Sequence, residues 1–357
     1  MRVYKNSTEL MNLHGIPVYM NDMVDACLIS RLNLFLQGDT GFGKTQLATD
    51  VMSYFGDKAV YLLGRNDMDT RDLFQQINLE KLRGAKSTAE VRELTDKVNY
   101  HLIVVDELPN CVPAVRAQLF NLFDGFIELN GVRYQIGKGY SIGMAGGNIG
   151  QQFTESSNEI GRALKDRMHV IIDTDYFTPT PKDTFEILSD DTDPRVGFDI
   201  NHEDQSEKII SKYQAIKNKE SHLGKIIVAN YLLHALDHCS VGSKRKMKSA
   251  WPTQLESHEQ GSDVGLVLPV SIRAAKSILG LSEALDQISL EKGAPHEMVD
   301  NNYLDSMMQA YKFVSAYSGI LNKADVINKY ENDHYKAMDA IISSVKSQFE
   351  EKGEKLA

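Results

Sequence analysis

Residues 38–45 read Gly-Asp-Thr-Gly-Phe-Gly-Lys-Thr, which satisfies the pattern G-x-x-x-x-G-K-[ST] in full. Glycines at 38, 41 and 43 let the backbone curl until successive N–H groups face one anion, and a helix beginning there adds the positive end of its dipole. In such a cradle Gly38, Asp39, Thr40, Gly41, Phe42, Gly43, Lys44, Thr45 and Gln46 surround a polyphosphate. Lys44 reaches the β- and γ-phosphates, and the Thr45 hydroxyl is offered to Mg²⁺. The flanks suit this chemistry. An apolar run at 32–36 enters the loop and a helix-like stretch at 46–52 leaves it, giving the strand–loop–helix setting of a nucleoside triphosphate site.

A second group of reactive residues lies at Leu102-Ile103-Val104-Val105-Asp106-Glu107. A carboxylate at the C-terminal end of a buried strand sits beside the phosphate loop in open α/β sheets. Asp106 is placed to hold Mg²⁺, directly or through water, and Glu107 to polarise an attacking water. Adjacent acids separate this chain from small GTPases and kinases and favour ATP hydrolysis.

The elements that must position these residues can be read from periodicity. Apolar runs fall at 32–36, 59–63, 102–105, 140–145 and 169–172, mostly separated by helix-like stretches. That alternation predicts a parallel sheet with crossover helices. Between the third and fourth runs, residues 126–136 centre on Asn130-Gly131, the strongest short signal for a two-residue hairpin turn. Around Pro179 and Pro181 the alternation stops, and from Lys182 the chain reads as helical apart from polar, loop-like stretches at 189–205 and 241–264. The expected organisation is an α/β domain over 1–180 carrying the hairpin, then a helical domain over 181–357. Met338, Ile341, Ile342, Val345 and Phe349 recur at helical spacing and predict one core-facing side on a charged helix.

Composition narrows the class. A hydrophobic share of 42% with 25% charged residues is that of an ordinary globular chain, long enough for two domains. A net charge of −10 argues against a broad duplex-DNA or anionic-membrane surface while leaving room for a local basic loop. Cys27, Cys111 and Cys239 are scattered with no C-x-x-C, which suggests a reducing compartment and no disulfide or zinc framework. With no signal-like N-terminus and no membrane-spanning run, the expected location is cytoplasmic.

Taken together, the phosphate loop, the Asp-Glu strand end and later arginine-containing segments resemble the AAA+ ATPases, specifically the MoxR-type branch, over residues 22–285. The resemblance implies a five-stranded parallel sheet in the order 5-1-4-3-2 followed by an all-helical lid. In that branch a polar turn, a helix and a hairpin follow the Asp-Glu pair, matching residues 106–110, 115–123 and Asn130-Gly131 here. Asp67-Met68-Asp69-Thr70-Arg71-Asp72-Leu73 is similar to the branch's Asp-Leu segment after the second strand. Asn148, ending Gly143-Met144-Ala145-Gly146-Gly147-Asn148, corresponds to sensor 1 and can orient the water on Glu107, although Ile149 stands where the branch usually has proline. Gly161-Arg162-Ala163-Leu164-Lys165-Asp166-Arg167-Met168 is similar to the Ala-Leu-x-x-Arg-Phe ending, which makes Arg167 the arginine finger and Arg162 its rival. Pro269-Val270-Ser271-Ile272-Arg273-Ala274-Ala275 resembles the second sensor, with Arg273 reaching the phosphates from the lid.

A finger acting on a neighbour's ATP requires assembly, and the resemblance implies a homo-oligomeric ring, most often hexameric. MoxR-type proteins commonly work with a partner carrying a von Willebrand A domain, whose Asp-x-Ser-x-Ser loop does not occur here. Three functions follow: an ATP-driven remodeller of a protein complex, a nucleic-acid-stimulated motor, or a nucleotide-gated switch. Lys244-Arg245-Lys246-Met247-Lys248 with Trp251, and Arg133 of the hairpin, keep the second open; an intact Glu107 argues against the third. His234 and His238 stand one helical turn apart but lack the glutamate of a metalloprotease helix.

Overall fold

The computed structural model describes residues 3–68, 74–77, 92–129, 131–148, 162–190, 193–198, 203–236 and 266–352. The chain divides into two compact units, one of residues 1–8, 33–168 and 172–213, the other of 9–32, 169–171 and 214–357.

The sheet that carries the loop is made of β3 (Leu34–Gln37), β4 (Ala59–Leu63), β7 (Leu102–Asp106), β10 (Ile142–Gly147) and β11 (Val170–Asp173). It is parallel, and its order β11-β3-β10-β7-β4 is the expected 5-1-4-3-2. Central strands covered on both faces need unbroken apolar runs. Phe35, Leu36, Val104, Val105, Met144, Ala145, Ile171 and Ile172 accordingly are all buried. β4 is one of the two edges, opposite β11, and there Tyr61 is 40% and Leu63 50% exposed. Helices α2 (Lys44–Ser53) and α3 (Pro113–Phe123) follow β3 and β7; each starts two residues earlier than its apolar pattern suggests. The hairpin forms as β8 (Phe126–Leu129) against β9 (Val132–Gln135), while Ile136 belongs to the next 3₁₀ turn. Two short strands unforeseen in the sequence, β5 (Gln75–Ile77) and β6 (Arg92–Leu94), pair antiparallel.

Buried Asn33 stitches the start of β3 into this unit. Its amide donates to the carbonyls of Phe123 at 2.7 Å and Arg167 at 2.8 Å, and its Oδ1 accepts the N–H of Gly143 at 2.8 Å. The short helix α4 (Arg162–Lys165) ends just before that Arg167 turn. In α5 (Pro181–Asp190), a helix that runs on into the predicted 189–205 loop, Asp183 accepts hydrogen bonds from the N–H and hydroxyl of Ser7 and of Thr180 at 2.7–2.9 Å. Burial pushes its carboxyl up, but these bonds outweigh burial and bring it down to about 2. A carboxyl lowered on folding stabilises above its unfolded value, about 3.9, and loses that contribution as pH falls through the folded value. Asp183→Asn should therefore cost about 1–2 kcal/mol at pH 7, visible as a lower melting temperature. The gap between variant and parent should close between pH 4 and pH 2; a gap unchanged at pH 2 would count against the ionised cap.

The second unit opens with a hairpin absent from the sequence reading, β1 (Glu9–Leu13) and β2 (Ile16–Tyr19), and helix α1 (Met20–Ser30). The rest is helical: α6 (Ser206–Asn218) leads from the first unit, then α7 (Leu223–His234), α8 (Ile272–Glu291), α9 (His296–Asn301), α10 (Tyr303–Ser315), α11 (Lys323–Tyr330) and α12 (His334–Lys352). Helix α8 is its axis, packing on α1, α7 and α10. The side of α12 formed by Met338, Ile341, Ile342, Val345 and Phe349 is buried as its spacing predicts, each such side chain stabilising by roughly 1.5–3 kcal/mol. One charged cluster is enclosed here. Lys225 lies 2.6 Å from Asp286 and 3.0 Å from Glu283, and His14 Nε2 lies 2.8 Å from Asp286. Removing one member would strand a buried charge, at a cost of roughly 3–5 kcal/mol.

Candidate functional site

The phosphate loop leaves β3 at Gly38 and enters α2 at Gly43, whose φ of 76° only glycine adopts freely. Side chains are excluded there for a second reason: a Cβ on Gly43 would lie 2.9 Å from the ring of Tyr4, and one on Gly38 would lie 2.1 Å from Thr174 Oγ1. The loop is thus clasped between two walls that the sequence alone did not reveal. Below it, the carboxylate of Asp175 accepts the N–H of Asp39 through both oxygens at 2.8 and 2.9 Å. Burial first, and the neighbouring acids Asp173 and Asp39, push the Asp175 carboxyl above its ordinary range.

Lys44 folds back on its own loop, its Nζ donating to the carbonyl of Gly38 at 2.9 Å and to that of Asp39. Its cation is therefore held at the mouth of the cradle. Gln46 has other work: its amide brackets Gly197, donating to the carbonyl at 2.9 Å and accepting the N–H at 2.8 Å. What it can offer a phosphate is its backbone N–H in the first turn of α2.

Asp106 ends β7 and Thr45 sits in the first turn of α2. Thr45 Oγ1 donates to Asp106 Oδ2 at 2.9 Å, so the two oxygens read as metal ligands are adjacent. An alcohol and a carboxylate are the hard oxygen donors Mg²⁺ prefers, beside the loop that would hold phosphate oxygens. The residues present fit the ion. Glu107 leaves the strand in the left-handed region at φ 54°, and its Oε2 accepts from Asn110 Nδ2 at 3.2 Å. Asn148 follows β10 with its Nδ2 3.4 Å from Asp39 Oδ1, while its buried Oδ1 has no hydrogen-bond partner among the described residues.

Lys44, Thr45, Asp106 and Asn148 are thereby connected to one loop, and Glu107 follows Asp106 with its carboxylate on Asn110. Arg167 is held within its own chain: Nε donates to Asp124 at 2.9 Å, Nη1 to the carbonyl of Ala163 at 3.0 Å, and the guanidinium lies 4.7 Å from the centre of the Phe120 ring. Its rival Arg162 opens α4. Arg273 stands in the first turn of α8, capped by Ser271, in the second unit. Residues 69–73, His238 and the Lys244–Trp251 cluster lie outside the described residues. Among the described residues no cluster of histidine, cysteine and acids could hold a metal ion, and no helix is long and apolar enough to cross a membrane.

With this geometry in hand, known proteins offer two likenesses. The family described as AAA domain (dynein-related subfamily) matches residues 33–168, the stretch containing Lys44, Thr45, Asp106, Glu107 and Asn148. A protein of known structure from Cytophaga hutchinsonii, provisionally described as an ATPase, is similar at 15% identity with a TM-score of 0.62, over 92% of this chain and 88% of that one. At that identity the likeness speaks for fold alone. No curated protein matches the sequence. Residues 33–168 thus match an AAA domain, and the five-stranded parallel sheet in this order, followed by a helical C-terminal region, agrees with the AAA+ α/β fold.

Proposed function

We propose that the protein hydrolyses ATP with Mg²⁺ and works as an oligomeric AAA+ motor of the MoxR type, remodelling or maturing a protein complex with a separate partner. The observation that carries hydrolysis is the Thr45–Asp106 pair at 2.9 Å beside the loop that holds Lys44, with Glu107 next to Asp106 in the chain and Asn148 3.4 Å from Asp39. In this reading the Lys44 ammonium leaves the Gly38 and Asp39 carbonyls for the β- and γ-phosphate oxygens. Thr45 and Asp106 would hold Mg²⁺, which supplies charge neutralisation on those oxygens. Glu107 accepts a hydrogen bond from the attacking water, exchanging Asn110 for it, and the Asn148 amide offers that water a donor or an acceptor. Arg167 completes a neighbour's site after releasing Asp124, which is why the proposal includes assembly into a ring. A partner with a von Willebrand A domain suits the MoxR reading.

Glu107→Gln is the direct test. The amide keeps the shape but polarises water poorly, so nucleotide binding should persist while turnover falls about 10²–10⁴-fold. Turnover near that of the parent would move the role to another residue. A parent protein that binds no ATP with Mg²⁺ would end the proposal as a whole.

A further inference from the structure

Among the described residues, donors from three separate segments converge on the carboxylate of Asp106. Oδ2 accepts from Thr45 Oγ1 at 2.9 Å and also from the phenol of Tyr61 at 2.8 Å, while Oδ1 accepts the N–H of Glu107 at 3.0 Å. Beyond Oδ1 the way is closed by Gly146, where even a Cβ would come within 2.9 Å. The hydroxyl of Tyr61 is the one donor here that neither the phosphate loop nor the strand end supplies. It comes from β4, the sheet edge, where Leu63 is the register partner of Asp106 and Tyr61 that of Val104. A two-residue offset along a strand spans roughly 6.6 Å, which a phenol crosses and a serine or threonine does not. Tyr61 is 40% exposed, so core packing does not account for a large aromatic at this place.

We propose that Tyr61 is a positioning residue for the Mg²⁺-holding carboxylate: its hydroxyl fixes the rotation of Asp106 so that the carboxylate stays presented beside Thr45 when the ion arrives. This rests on the ATPase reading above. Residues that orient a metal ligand from outside the coordination sphere are worth about 10- to 100-fold in metal affinity. Tyr61 touches neither phosphate nor water in this role, so its loss should be felt through the metal and not through the nucleotide.

Tyr61→Phe removes one oxygen from a half-exposed ring and leaves the rest of the side chain in place. The probe is Mn²⁺, titrated into the full-length protein with a non-hydrolysable ATP analogue and read by its paramagnetic signal. Mn²⁺ affinity should fall about 10-fold, while analogue affinity measured without metal and the melting temperature stay close to those of the parent. In turnover, the Mg²⁺ concentration for half-maximal rate should rise by the same factor, with kcat at saturating Mg²⁺ within about threefold. Unchanged Mn²⁺ affinity in a folded, nucleotide-binding Tyr61→Phe protein overturns the positioning role and leaves the ATPase reading intact. A lowered melting temperature with unchanged Mn²⁺ affinity means that the tyrosine merely braces the sheet edge, and overturns it too. If the parent itself binds no Mn²⁺ with the analogue, the ATPase reading falls and takes this one with it.

Discussion

Lys44→Ala should weaken ATP binding at least ~100-fold, with little change in fold stability. The expectation comes from counting what the ammonium can donate. Two charge-assisted bonds to phosphate oxygens, at roughly 1.5–3 kcal/mol each, amount to about 3 kcal/mol or more, and each 1.4 kcal/mol is a factor of ten. Against this stands only the loss of its bonds to the Gly38 and Asp39 carbonyls, which are exposed or part-buried and can be taken over by water. The loop itself does not depend on the lysine, because Asp175 below and Tyr4 and Thr174 beside it keep their contacts. Equilibrium binding of a labelled ATP analogue decides the matter. Affinity equal to that of the parent, in a protein that melts normally, would remove the phosphate assignment from residues 38–45.

Arg167→Ala should leave nucleotide binding nearly intact and lower turnover by roughly 10³-fold or more. The variant also loses the Asp124 ion pair and the contact with Phe120, so local destabilisation must be separated from catalysis. Arg167→Lys makes that separation. It keeps a charge for Asp124 but lacks the planar fork that caps a developing γ-phosphate charge, and should be almost as slow as the alanine variant. Mixing Arg167→Ala subunits with Glu107→Gln subunits tests the direction of action. Some interfaces in the mixture join an intact Glu107 to an intact Arg167 of the neighbour, so ATPase activity should partly return. No return, with mixing confirmed by sizing, would falsify a role in trans.

The parts of the site that could be read from sequence are those whose physics is local. The loop is legible because glycine spacing, Lys44 and Thr45 occupy one short stretch and each has a distinct task. Asp106 and Glu107 are legible because a fully apolar strand must stop at its polar end. Strand positions followed from unbroken apolar runs, with boundaries displaced by one or two residues where polar Gln37 and Asp173 still pair in the sheet. Hidden from that reading were contacts between residues far apart in the chain. Tyr4 against Gly43, Asp175 under Asp39, Tyr61 on Asp106 and Asn33 on Arg167 span 39 to 136 positions, and no periodicity encodes them. The β1–β2 hairpin escaped for a related reason. Its strands are only four or five residues long, and its turn uses His14-Gly15, both with positive φ, in place of the usual Asn-Gly.

Because residues 9–32 are grouped with residues 214–357, the two units are threaded through each other along the chain. On a ribosome this sets an order of events. At about 5–20 residues per second, the interval between Leu32 and Gln214 leaving the tunnel is roughly ten to forty seconds. Throughout it, Met20, Met23, Val24, Cys27 and Leu28, all nearly inaccessible in the finished protein, have no helices to bury against. Meanwhile the strands β3 to β10 of the parallel sheet emerge within that same interval. The nascent chain thus carries an apolar segment whose packing partner is not made until α8 emerges.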